Sequence, residues 1–190
     1  LFSTWLSMGA EGPFIAACIA RLGDATFNLA AYGVAFSLGM FFESPIIMML
    51  SAANVLVKGR RSYLKLRRFN TLLNLLITLA MALVLIPPVF YWLSERLIGM
   101  PPPVARLCHQ ATLILLPWPA AIGFRRFYQG ILIGNHMTRR VAYGTVVRLS
   151  SMAAAALLLL LFSPLPGASV GAAALSTGVI MEALASRFMA

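Results

Sequence analysis

The sequence predicts an all-α membrane protein, a bundle of about six transmembrane helices. Three observations predict it. The 190 residues are 61% hydrophobic and only 11% charged. Their mean hydropathy is +0.88. Apolar runs of bilayer-crossing length follow one another along the chain, separated by short polar, basic or proline-containing breaks. Globular domains are roughly 45–50% apolar and about 25% charged, so a water-soluble domain of this size could not hide this much apolar surface. Lipid as the surrounding solvent removes the difficulty, and a run of roughly 20 apolar residues suffices to cross it.

The expected spans are 1–20, 27–57, 70–93, 107–134, 141–162 and 169–189. They form one domain, since no polar stretch is long enough to fold alone. A backbone in lipid must satisfy its own hydrogen bonds, which leaves helices or a closed barrel. The runs lack the alternation of barrel strands. The chain opens on Leu1 rather than Met and shows no cleavable leader pattern, so it reads as a piece of a longer protein.

Charge predicts orientation. Fifteen Lys and Arg stand against five Asp and Glu, a net charge of +10. The segment after the second span, Lys58-Gly-Arg60-Arg61-Ser-Tyr-Leu-Lys65-Leu-Arg67-Arg68, holds six cations and no anion. Arg139 and Arg140 follow the fourth span, whereas the breaks after spans one, three and five are poorer in cations. Basic loops stay on the cytoplasmic side, so both ends of the chain are expected there, in a plasma (inner) membrane. The 58–68 run also suits anionic headgroups, with its topogenic role as the plainer alternative. Binding of nucleic acid is not expected, since no soluble domain carries a basic face.

Ionisable side chains inside spans cost several kcal/mol unless they meet partners or line a wet cavity. Glu11, Glu43, Arg125, Arg126, Arg148 and Glu182 all fall inside spans. A shared polar cavity is the economical explanation. Glu11-Gly-Pro13 and Glu43-Ser-Pro45 place an acid two residues before a proline. Proline removes a helix hydrogen bond, and the carbonyls it would free belong to Gly9 and Phe41. A carboxylate beside a broken helix suits a proton or a cation. The plain alternative is a kink beside a protonated, shielded Glu.

Helical phase sharpens the set. Tyr32, Gly39, Glu43 and Asn54 fall within about 20–40° of one another at about 100° per residue. Ser3, Ser7 and Glu11 step along one face of the first span. Pro117-Trp118-Pro119 should break or bend the fourth span. Beyond the break, Trp118, Arg125 and Gln129 share a face, with Arg126 pointing elsewhere. In the fifth span Thr145, Arg148 and Ser151 align, and Arg148 lies about 12 Å deeper than Arg140 at about 1.5 Å per residue. Such arginines could bind an anionic solute through paired donors, or snorkel to the interface.

Gly130-xxx-Gly134 and Gly167-xxx-Gly171 read as close helix contacts. Cys18 and Cys108 read as small apolar fillers, His109 as interfacial and His136 as a loop residue. No nucleophile–base set, phosphate loop or metal motif is visible, so the sequence predicts neither an enzyme nor a metal or organic cofactor.

Several of these stretches resemble a known family. Residues 31–45 (AYGVAFSLGMFFESP), followed by Asn54-x-Leu-Val and the basic run, resemble the progressive ankylosis protein family. Residues 124–130 (FRRFYQG), 144–148 (GTVVR) and 171–178 (GAAALSTG) with Glu182 are similar to that family's fourth-to-sixth-helix pattern. The family is related to the multidrug and toxin extrusion branch of the multidrug/oligosaccharidyl-lipid/polysaccharide flippase superfamily. The resemblance implies twelve helices in two six-helix lobes around an alternating cleft, of which this chain would be one lobe, the N-terminal one. It implies export of a small solute such as pyrophosphate, nucleotides or citrate. Glu11 and Glu43 would then couple transport to a proton or sodium ion, and Arg125 and Arg148 would touch the solute. A drug-like cation, a lipid-linked sugar and a non-transporting scaffold stand as alternatives.

Overall fold

The computed structural model describes residues 9–190. Among them all regular structure is helical and no strand occurs. The helices are α1 (Glu11–Ala20), α2 (Ala25–Glu43), α3 (Met49–Leu56), α4 (Arg60–Val84), α5 (Pro87–Tyr91), α6 (Pro102–Ile114), α7 (Trp118–Gly134), α8 (Thr138–Phe162) and α9 (Gly167–Met189). Five helical stretches are long and apolar enough to cross a membrane: Ala25–Leu56, Arg60–Val84, Pro102–Gly134, Thr138–Phe162 and Gly167–Met189. The expected first span is described only as the ten residues of α1, and Ser3 and Ser7 lie outside the described residues.

Helix α9 is the axis of the bundle. It packs against α8, α7, α6, α2 and α1. Its Gly, Ala and Ser residues allow this, because small side chains let helix backbones approach closely where no water drives them together. A Cβ on Gly171 would stand 2.7 Å from Ile19 Cδ1, and one on Gly178 would stand 2.9 Å from Met152 Cβ. Gly130 and Gly134 likewise receive α3: a Cβ on Gly130 would stand 2.5 Å from the Leu50 carbonyl oxygen. The outer faces are leucine and phenylalanine, with Leu161 73% and Phe162 80% exposed. Apolar area on that scale is at rest only against lipid or a partner.

The third span differs from its expected bounds. The 58–68 run is not a loop: α4 begins at Arg60 and ends at Val84. Arg, Lys and Leu are good helix formers. The Ser62 hydroxyl accepts from the Lys58 and Gly59 amides and closes the helix start. At the other end Pro87 and Pro88 cannot continue a helix and hold the preceding Ile86 extended. The chain turns there through α5 and a π-helical turn, Trp92–Leu97. The His109 ring donates from Nε2 to the Leu85 carbonyl (2.9 Å), so it caps this break and stacks near Phe90 and Tyr91.

The prolines divide into two kinds. Pro45 sits in a 3-10 turn, Ser44–Ile46, that separates α2 from α3. Pro117 ends the turn separating α6 from α7. These two interrupt their spans as expected. Pro119 does not: it stands in the first turn of α7, where the missing N–H has no helical partner to lose. Pro13 stands in the first turn of α1, directly after a turn at Ala10 that follows helical Gly9, and the earlier part of its expected span lies outside the described residues. The Phe41 carbonyl is not free either, because the Ser44 amide donates to both Met40 and Phe41. The tighter 3-10 turn takes up the acceptor that the proline would have stranded.

Candidate functional site

Six ionisable side chains from five helices meet in the middle of the bundle. Glu11 comes from α1, Glu43 from the end of α2, Arg125 and Arg126 from α7, Arg148 from α8 and Glu182 from α9. Glu182 is wholly buried. Its Oε2 accepts from Arg125 Nη1 at 2.5 Å, and Arg148 Nη1 stands 3.6 Å away. Its Oε1 accepts from Gln129 Nε2 at 3.0 Å. Arg148 Nη2 donates to Glu11 Oε2. These contacts make one continuous chain, Glu11–Arg148–Glu182–Arg125, that ties α1, α7, α8 and α9 together.

Glu43 and Arg126 stand apart from that chain. Arg126 Nη2 lies 4.0 Å from Glu43 Oε1, a Coulombic contact beyond hydrogen-bond length. The Glu43 carboxylate makes no hydrogen bond among the described residues. The Arg126 side chain is 26% exposed, against 2% for Arg125 and 8% for Arg148. Three carboxylates face three guanidinium groups, so the cluster is neutral when all six are ionised. Burying such a set costs several kcal/mol per ion unless each charge is paired. The tight chain meets that condition for four of the six, and the loose pair does not.

A cavity of about 280 Å³ opens beside the cluster. Glu11, Glu43, Arg125, Arg126 and Arg148 line it. Tyr32, Phe36 and Trp118 also line it, their rings in succession, with centroids 6.1 Å and 5.7 Å apart. Gly39 makes this arrangement possible: a Cβ there would stand 2.7 Å from Trp118 Cζ3. Trp118 Nε1, Glu11 Oε1 and the Nε atoms of Arg125, Arg126 and Arg148 are buried and find no partner among the described residues. Such groups carry unspent hydrogen-bonding capacity.

Most residues singled out from the sequence thus converge, with three corrections. Asn54 is not at the cavity: it is exposed on α3, with its Oδ1 3.1 Å from where a Gly134 Cβ would stand. Arg126 was expected to point away from Arg125, yet it lines the same cavity, because a long flexible side chain spans the difference in helical phase. Thr145 and Ser151 donate to carbonyls of their own helix, so Arg148 alone represents the α8 stripe at the cavity. The apolar lining of Ile15, Phe36, Met40, Ile122 and Leu175 was not foreseen. Only Phe36 carried a signal, its spacing of four from Tyr32 on one helix face. The basic residues Lys58, Arg60, Arg61, Lys65, Arg67 and Arg68 are all exposed, at the far end of α4.

Fold and cluster together define an all-helical bundle, with spans of membrane length, around a buried ionic cluster and its cavity. No family model, curated protein or solved structure matches the chain.

Proposed function

We propose that the chain is one six-helix lobe of a secondary active transporter with a plan like that of multidrug and toxin extrusion proteins, exporting a small anionic solute through the cavity. The observation that carries the reading is the convergence of Glu11, Glu43, Arg125, Arg126 and Arg148 on one cavity inside a bundle of apolar, membrane-length helices. A packed scaffold has no use for an unsaturated polar chamber that costs so much to build. Citrate and pyrophosphate are the solutes that the family resemblance suggests.

In this reading the roles within the cluster are unequal. The Glu11–Arg148–Glu182–Arg125 chain is a framework whose charges are already matched. Glu43 is the coupling acid and Arg126 the solute-binding cation, because theirs is the pair whose charges are not joined by a hydrogen bond. The cell's inner membrane, with both chain ends cytoplasmic, is the setting that the basic segments favour.

A second reading is a cation antiporter. It is favoured by the carboxylate partners that Arg125 and Arg148 already hold, which leave Glu43 the least satisfied acid. Transport into proteoliposomes of the full-length protein under an imposed pH gradient separates the two. Labelled citrate and pyrophosphate test the anion reading, and ethidium tests the cation reading. Gradient-dependent movement of an anion that Glu43→Gln abolishes, with the fold intact by circular dichroism, supports the proposal. Undiminished transport by that variant removes the coupling role of Glu43. Movement of ethidium alone transfers the case to the antiporter, and movement of none of the three points to the scaffold.

A further inference from the structure

The outer face of α4 presents a groove that the cavity and its cluster do not explain. It has a volume of about 450 Å³ and is lined by Leu64, Arg67, Arg68, Thr71, Leu72 and Leu75. Its lining joins two adjacent guanidinium groups, Arg67 and Arg68, to exposed leucines, of which Leu72 and Leu75 stand one to two turns further along α4. No acidic side chain pairs with Arg67 or Arg68 among the described residues. Thr71 Oγ1 donates to the Arg67 carbonyl (2.9 Å), so this hydroxyl is turned onto its own helix.

Depth follows from length. The inward face of α4 is Asn70, Asn74, Ile77 and Met81, and the outward face is Phe69, Leu72, Leu75, Leu76, Leu79 and Leu83. The uncharged stretch 69–84 rises about 24 Å at about 1.5 Å per residue. A bilayer's hydrocarbon core is about 30 Å thick. A stretch that short draws its flanking cations to the edge of the hydrocarbon, so Arg67 and Arg68 stand at the level of the lipid phosphates. Arg61 and Lys65 share a helix face with Arg68 and extend the positive field outward by two turns.

We propose that this groove is a binding site for an anionic phospholipid. Its phosphate sits between Arg67 and Arg68, and one acyl chain lies along Leu72 and Leu75. Guanidinium groups suit the phosphate because each offers planar paired donors. Arg67 and Arg68 themselves select a headgroup of net negative charge over a zwitterionic one, whose own cation they repel, and no anion in 58–68 offsets them. This goes beyond an orientation signal, which requires positive charge but no groove.

The test is native mass spectrometry of the protein released from nanodiscs of phosphatidylglycerol and phosphatidylcholine in equal amounts, with melting in detergent as a fold control. One retained phosphatidylglycerol per protein is expected, with phosphatidylcholine retained at least tenfold less. Arg67→Gln with Arg68→Gln should lose that lipid, while Arg67→Lys with Arg68→Lys keeps part of it. Arg60→Gln with Arg61→Gln, outside the groove, should retain it nearly in full. All three variants should melt as the wild type does without added lipid. Equal retention of the two lipids overturns the proposal. So does an equal loss from the two glutamine pairs, which would mean a diffuse basic field rather than a seat.

Discussion

Glu182 Oε2 accepts from Arg125 Nη1 at 2.5 Å at a point wholly shielded from solvent, and the two residues join α9 to α7. Arg148 stands 3.6 Å from the same oxygen, which makes Glu182 the anion that two guanidinium groups share. Removing it should therefore be felt in the fold before it is felt in any transport cycle. Breaking a buried ion pair by neutralising one partner costs about 3–5 kcal/mol. Glu182→Gln is expected to lower the melting temperature in detergent markedly. A variant that melts with the wild type would show that the chain of contacts is not a framework.

Glu43 should behave in the opposite way. Its carboxylate holds no hydrogen bond among the described residues, and its nearest cation is 4.0 Å off. Glu43→Gln is expected to cost far less than Glu182→Gln, because it breaks no side-chain hydrogen bond and leaves only the partly exposed Arg126 without a counter-charge. The contrast between Glu43 and Glu182 is readable in one set of melting curves. A large loss from Glu43→Gln would remove the distinction.

The loose pair also fixes the sign of a pH effect. Protonating Glu43 leaves the Arg126 charge unbalanced, so an anion and a proton should bind together. A cationic solute would instead compete with the proton. Trp118 lines the cavity and serves as the reporter. Quenching of tryptophan fluorescence by citrate should strengthen as pH falls in the wild type. It should be strong and nearly independent of pH in Glu43→Gln, and absent in Arg126→Gln. Citrate binding that weakens on acidification in the wild type would contradict this order.

Close packing of α4 on α7 rests on Gly123. A Cβ there would stand 2.0 Å from Asn74 Oδ1 and 2.8 Å from Ile46 Cγ2. Gly123→Ala should destabilise by about 1–3 kcal/mol through overpacking. Asn74→Ala in the same chain should restore most of the loss, because it removes the nearest clashing atom. A double variant no better than the single one would place the strain elsewhere.

One asparagine ties three segments. Asn28 Nδ2 donates to the Gly23 carbonyl (2.9 Å) and the Asp24 carbonyl (3.2 Å), and its Oδ1 accepts from the Ala168 amide (2.9 Å). The last of these caps the start of α9. Asn28→Ala leaves the Ala168 amide and the Gly23 carbonyl unpartnered, while the Asp24 carbonyl keeps the residue-28 amide, at about 1–3 kcal/mol for a buried unsatisfied group. Hydrogen exchange should quicken in the first turn of α9 while the middle of α8 stays protected. Uniform exchange across both helices would argue against a local cap.

The sequence by itself determined that the chain is helical and built of membrane-length apolar segments, because a run of leucine, alanine and valine has no other way to satisfy its backbone in lipid. It also determined which residues were too costly to leave unpartnered there: Glu11, Glu43, Arg125, Arg126, Arg148 and Glu182. What it could not determine was who meets whom. Glu11 reaches Arg148 across most of the chain, and Glu182 reaches Arg125 from another helix, with no local spacing to announce either pair. Phase arithmetic also assumes an unbroken helix. It aligned Asn54 with Glu43, but the 3-10 turn at Ser44–Ile46 resets the angle and sends Asn54 to Gly134 instead. Periodicity is a property of a single segment, whereas the pairing of charges depends on how several segments pack, and that only the tertiary structure decided.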